Sequence, residues 1–148
     1  MASVTHMGPG KIFLEVELEF SNESSGKILP QCVQFSRLAK NDIDHVPTTQ
    51  LHCVRHSLEL LDLTNTNLST ICTSEFYPMT FLKKLFINDI QFLSKIEKSA
   101  FDSLENLEFF EMKNNPLLDF IDPKAFYDAK LEVCSNFYFI STKKFSFI

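Results

Sequence analysis

Leu58-Glu59-Leu60-Leu61-Asp62-Leu63-Thr64-Asn65-Thr66-Asn67-Leu68-Ser69-Thr70-Ile71 is the stretch whose reading decides the fold. It opens with the pattern Leu-x-x-Leu-x-Leu, whose alternation sets the last two leucines on one face of a short strand. The pattern returns along the chain. Leu58, Leu82, Leu107 and Leu131 recur at almost equal intervals. Three residues after each stand Leu61, Leu85, Phe110 and Cys134, and five after stand Leu63, Ile87, Met112 and Asn136. The match holds for three segments and decays in the fourth.

The second half of each unit repeats too. Ile71, Ile96 and Ile121 keep the same period, as do Phe76, Phe101 and Phe126. Upstream, Val33, Leu38, Asn41, Ile43 and Val46 fill matching slots, with Ser36 where an apolar residue is expected. Chance can supply one such coincidence among the core residues of a mixed fold, but not six positions recurring in register. One coil cannot bury its own apolar edge, whereas about four stacked coils make a continuous core. The expected architecture is an α/β solenoid with parallel strands on one side and Phe76, Phe101 and Phe126 stacked as a spine on the other. The turn after each strand needs a polar side chain to bond the neighbouring coil's backbone. Asn41 and Asn115 occupy that slot, while Thr66 and Ile90 interrupt the ladder.

Composition narrows the function. The chain has 148 residues, 45% of them apolar, which suits one domain with a real core. A net charge of −5 argues against a nucleic-acid partner, which needs a basic surface. No apolar run reaches the roughly 18 residues of a membrane span, so no transmembrane segment is expected. Only Gly8, Gly10 and Gly26 are glycines, leaving no phosphate-cradling loop. Ser, His and Asp are scattered without a nucleophile elbow or a His-Glu-x-x-His helix. The expectation is a protein that is not an enzyme and needs no cofactor.

With these units on view, Leu58–Ile71 resembles a unit of the extracellular type of leucine-rich repeat. So does Leu107 through Phe126, with Asn114-Asn115-Pro116-Leu117-Leu118 and Ile121-Asp122-Pro123-Lys124-Ala125-Phe126. The residue added before Ile96 and Ile121 is similar to units of glycoprotein-hormone-receptor ectodomains. The likeness covers residues 33–135. It implies a right-handed superhelix with parallel strands on its concave face and an irregular or short helical convex side. It also implies a protein or peptide ligand on the concave face and a place outside the cell or at its surface, the alternative being a cytoplasmic scaffold. No basic and apolar leader opens the chain and no cysteine-rich cap closes it, so the chain is expected either to be cytosolic or to be a fragment, a truncated piece without independent function being the further alternative.

Residues 1–10 are expected to be disordered, and 11–148 to form one domain. Within it, 11–31 make a cap-like strand and loop, 32–135 about four repeats, and 136–148 an incomplete last unit. The cap rests on Leu14-Glu15-Val16-Glu17-Leu18-Glu19-Phe20, which alternates apolar with acidic as a half-buried strand does.

The repeat register places a binding face. One outward column reads Phe35, Leu60, Lys84, Phe109 and Val133, and a second reads Arg37, Asp62, Phe86, Glu111 and Ser135. Aromatic and apolar residues aligned this way with charged rims suit a partner, and Phe35, Leu60, Asp62, Lys84, Phe86, Phe109, Glu111 and Val133 are the candidate contacts. Coverage of the same patch by the tail or by a second copy is the competing reading. His52, Cys53 and His56 with Cys32 lack the spacing of a zinc site, so no metal is expected. Cys32 and Cys53 stand either as a disulfide bracing the amino-terminal end or as free thiols. Cys134 falls in a core slot. Asn22 and Asn67 open acceptor triplets for N-glycosylation if the chain is secreted.

Overall fold

The computed structural model describes residues 2–3, 15–18, 35–40, 42–48, 51, 55–127, 129 and 136–140. Its strands are β1 (Ala2–Ser3), β2 (Glu15–Leu18), β3 (Phe35–Arg37), β4 (Leu60–Asp62) and β5 (Thr70–Ile71), followed by β6 (Lys84–Asn88), β7 (Lys95–Ile96), β8 (Phe109–Lys113), β9 (Phe120–Ile121) and β10 (Asn136–Ile140). They form a seven-stranded sheet in the order β1-β2-β3-β4-β6-β8-β10 and a three-stranded sheet β5-β7-β9. From β3 to β10 the larger sheet is parallel, one strand per coil, and the smaller sheet is parallel as well.

Pairing follows the sequence period. Phe35 pairs with Leu60, Leu60 with Lys84, and Lys84 with Phe109. Within β4, β6 and β8 the intervening residues point into the core. Leu61, Leu85, Ile87 and Phe110 are wholly buried, and Met112 nearly so. Leu58, Leu82 and Leu107 lie below them, and Leu68, Leu93 and Leu118 with Ile71, Ile96 and Ile121 close the core from the returning segment. Each such leucine contributes about 1.5–3 kcal/mol by leaving water. The spine is present. Phe76 stacks on Phe101 at 5.4 Å between ring centroids, Phe101 stacks on Phe126 at 4.4 Å, and Phe110 meets both Phe101 and Phe126 edge-on at 5.6 Å.

Asn115 completes the one rung of the turn ladder whose bonds to its neighbour coil are described. Its Oδ1 accepts from the Ile90 amide at 2.9 Å and its Nδ2 donates to the Ile87 carbonyl at 2.9 Å, both one coil back. Thr66 turns inward instead, its hydroxyl donating to the Leu63 carbonyl of its own coil at 2.8 Å. Asn41 lies outside the described residues.

Scarce glycine leaves the sharp turns to other residues. Lys40, Asn65, Asp89 and Asn114 have φ of 55–62°, one to each coil just after its strand, and Ser74 and Ser99 have φ of 56° on the return. Asn and Asp tolerate this left-handed region best among residues with a Cβ. Successive rungs bond there too, Asn114 Nδ2 donating to Asp89 Oδ1 at 3.0 Å.

Three expectations need correction. Among the described residues no α-helix occurs, so the helical half of the α/β class is not met there. The returning segment instead carries β5, β7 and β9, because Thr70-Ile71, Lys95-Ile96 and Phe120-Ile121 fall in register and pair with each other. Ala2–Ser3, placed in a segment expected to be disordered, pairs antiparallel with β2, Ala2 against Leu18. An edge strand's free N–H and C=O groups recruit whatever backbone reaches them. The last interval is also longer than the leucines implied. Phe109 pairs with Asn136 rather than with Val133, so Phe137 and Phe139 match Phe110 and Met112 in register. By register Asn136 and Tyr138 stand beside Phe109 and Glu111, the places that Val133 and Ser135 were expected to fill. A slip by an odd number of residues exchanges the two faces of a strand.

Candidate functional site: the outward strand face

The site lies on the face of β3, β4, β6, β8 and β10 that turns away from the core. Leu60, Phe86 and Phe109 are half-buried there, Lys84 is exposed, and Asp62 and Glu111 are half-buried. Tyr138 is 49% exposed. Phe86 and Phe109 sit with ring centroids 5.2 Å apart, and Phe109 and Tyr138 5.7 Å apart, all tilted. Three rings on three successive strands thus make a continuous zigzag. Tilted and offset contacts of this kind are favourable beyond the area they bury. Phe35 shares the Leu60 column by register. Val133, Asn22, Cys32 and Cys53 lie outside the described residues, as do His52 and Cys134.

The rims are charged and internally bonded. Lys83 Nζ lies 3.0 Å from Glu59 Oε2 where the strands begin. Where they end, Glu111 Oε1 takes Lys113 Nζ at 2.8 Å while its Oε2 accepts from Asn88 Nδ2 at 2.7 Å. Asn88 Oδ1 in turn accepts from the Lys113 amide at 3.1 Å, tying β6 to β8. Asp62 Oδ1 accepts from the Thr64 amide at 2.9 Å. The Lys113 ammonium, then the Asn88 amide, hold the Glu111 carboxyl below its ordinary 4.5 against some desolvation. A depressed carboxyl stabilises the fold above its unfolded-state pKa and stops doing so as pH falls through the lower folded value. Acid titration is therefore expected to show Glu111→Gln losing less stability than the parent below about pH 4.5 and being less stable near neutrality. Parallel acid limbs for the two proteins would mean that the Lys113 and Asn88 contacts are not made in solution.

Sequence reasoning missed Tyr138. The signal was present in the alternation Phe137-Tyr138-Phe139, which matches Phe110-Glu111-Met112, but the Leu131 spacing masked it. It also passed over Asn88 and Lys113, which form a third position along the strands. Among the described residues no group of three His, Cys, Asp or Glu side chains is placed to hold a metal ion, and no helix is long and apolar enough to cross a membrane.

Neither a protein-family model nor a curated protein matches this sequence. Among solved structures the chain is similar to human 5T4 (Wnt-activated inhibitory factor 1, trophoblast glycoprotein), with a TM-score of 0.53 and 23% identity. The architecture fits a leucine-rich repeat solenoid. The match covers 63% of this chain and 33% of that one, so the chain spans about a third of its structural neighbour. At that identity the likeness carries the fold alone.

Proposed function

We propose that this chain is a non-catalytic binding module that takes a protein or peptide ligand on the concave strand face, as part of a cell-surface receptor or extracellular recognition protein. The observation that carries the reading is the run of Phe86, Phe109 and Tyr138 across neighbouring strands, bounded by bonded charges. Aromatic anchors within a polar rim are the anatomy of interfaces that bind through a few residues. The structural neighbour's name as a glycoprotein agrees with an extracellular setting. Cys72 is an exposed free thiol whose pKa is pushed up by desolvation and by Glu75 and Glu97, so it is not a candidate nucleophile. A nucleophilic cysteine needs the opposite shift.

Binding of the labelled chain to intact cells tests the reading. Phe86→Ser with Phe109→Ser is expected to weaken saturable binding by at least about tenfold, the loss typical of truncated anchors, with melting unchanged. Tyr127→Ser, exposed next to the spine residue Phe126 and outside the strands, is expected to bind as the parent does. Full binding by a folded double variant would remove the face from consideration. Loss of its melting transition would show that the two rings belong to the core.

A further inference from the structure

A second column of exposed residues runs down the segment that follows the strands. Asp42, Asn67, Phe92 and Leu117 hold the same slot in four successive coils and all are exposed. Phe92 is 54% and Leu117 53% exposed, with Phe120 at 46% a little further on. A solvated slot held by Asp and Asn in two coils and by Phe and Leu in the next two is unusual, because nothing in the coil requires apolar side chains there. At the polar end stands the triplet Asn67-Leu68-Ser69, in which Leu68 is wholly buried and both polar residues face solvent.

We propose that Asn67 carries an N-linked glycan whose first sugars lie along Phe92 and Leu117, an inference that rests on the extracellular reading above. Three observations point the same way. The Asn67 amide N–H is bonded to the Ile43 carbonyl at 3.0 Å, and the next coil bonds back through Ser94, whose amide and hydroxyl donate to the Ser69 carbonyl at 2.9 and 3.1 Å. Asn67 is thus fixed between the coil of Asp42 and the coil of Phe92. Its side-chain Nδ2 donates one hydrogen to Asp42 Oδ1. The planar amide sets its other hydrogen at a wide angle to the first, so one N–H of Nδ2 is turned away from Asp42. Coils stack about 4.8 Å apart in a parallel sheet, so Asn67 to Leu117 spans about 10 Å, a stretch that two linked pyranoses cover. The apolar faces of those rings match exposed Phe and Leu, as ring hydrogens suit an aromatic face.

The modification balances simply. Asn67 Nδ2 forms a bond to the anomeric carbon of a lipid-pyrophosphate-linked oligosaccharide, and the carbon–oxygen bond to pyrophosphate breaks. The lipid pyrophosphate leaves with that electron pair, and the amide gives up one proton. One N–H remains on Nδ2, so the bond to Asp42 survives. The sugar adds bulk on the solvent side only.

The full chain is expressed behind a secretion leader with Asn22→Gln, which leaves Asn67 as the single acceptor triplet. Peptide mapping is done on both the secreted and the retained lumenal pools. The residue-67 peptide is expected to carry glycan in either pool and to read as aspartate after enzymatic release. Ser69→Ala, which abolishes the acceptor triplet but keeps Asn67 and its bond to Asp42, is expected to lower Tm by about 2–4 °C, a shift of the size one modest surface contact gives in a chain of this length, and to raise binding of an apolar dye. In Phe92→Ser the added Ser69→Ala change should leave Tm unmoved. A bare Asn67 in both pools overturns the inference, whether or not the protein is secreted. An equal fall in Tm with Phe92→Ser overturns the seating of the sugar on this column. Retention of the chain with Asn67 modified supports the inference while counting against the extracellular reading.

Discussion

Phe101→Ala is expected to lower the unfolding free energy by about 3–5 kcal/mol, the range for removing a buried aromatic ring. Phe101 has no exposed surface and lies between two stacked rings, Phe76 at 5.4 Å and Phe126 at 4.4 Å, with the edge of Phe110 at 5.6 Å. Truncation therefore removes three ring contacts together, and the rigid coils above and below cannot close the gap without breaking their own pairing. Phe76 sits at the same slot one coil earlier and is equally buried, but a described ring faces it only from the Phe101 side. Phe76→Ala is accordingly expected to cost less than Phe101→Ala. Equilibrium denaturation in urea, followed by the far-ultraviolet signal, measures both. A cost below about 1 kcal/mol at Phe101, well short of any buried-ring series, would mean that the spine is not packed as described.

Repetition is why so much of the fold was legible. Each inward slot is sampled several times, so Leu61, Leu85 and Phe110 identify one another even though no single residue is diagnostic. The spine was readable for the same reason, since Phe76, Phe101 and Phe126 recur on one period and stack. Legibility failed where the period changed. The chain takes a longer course between β8 and β10 than between the earlier strands. Leucine spacing alone set the wrong strand position there, and the Phe137 and Phe139 pairings show the right one. The short strands of the returning segment were also hidden. Two-residue pairings such as Lys95 with Phe120 need no strong local propensity, only neighbours held at the right distance by the main sheet.

The candidate face divides in the same way. Phe86 and Phe109 came from register, and their 5.2 Å contact is what register implies for diagonal neighbours on adjacent strands. The bonded rim did not come from register. Nothing in the order Glu111-Met112-Lys113 shows that Glu111 also accepts from Asn88 on the previous coil, because that contact depends on side-chain reach across strands. The left-handed turns escaped as well. Glycine normally marks them, and here Asn65, Asp89 and Asn114 serve instead.

Asn115→Ala is expected to cost about 2–4 kcal/mol, more than its half-exposed position suggests, because each backbone group left unpaired in a buried place costs about 1–3 kcal/mol. The side chain is the partner of two backbone groups of the preceding coil, the Ile90 N–H and the Ile87 C=O, each at 2.9 Å. Ile90 is wholly buried, so its amide has little access to water once Asn115 is cut back. Asp is an informative second variant, because its oxygens still accept from the Ile90 amide but none donates to the Ile87 carbonyl. It is expected to fall between Ala and the parent near neutral pH. Hydrogen exchange separates this mechanism from a general loosening. The Ile90 amide should lose protection in Asn115→Ala and keep most of it in Asn115→Asp, while the Leu85 amide inside β6 changes little in either. Equal loss of protection at both amides in Asn115→Ala would show that the side chain acts on the whole stack rather than on the one rung it bonds.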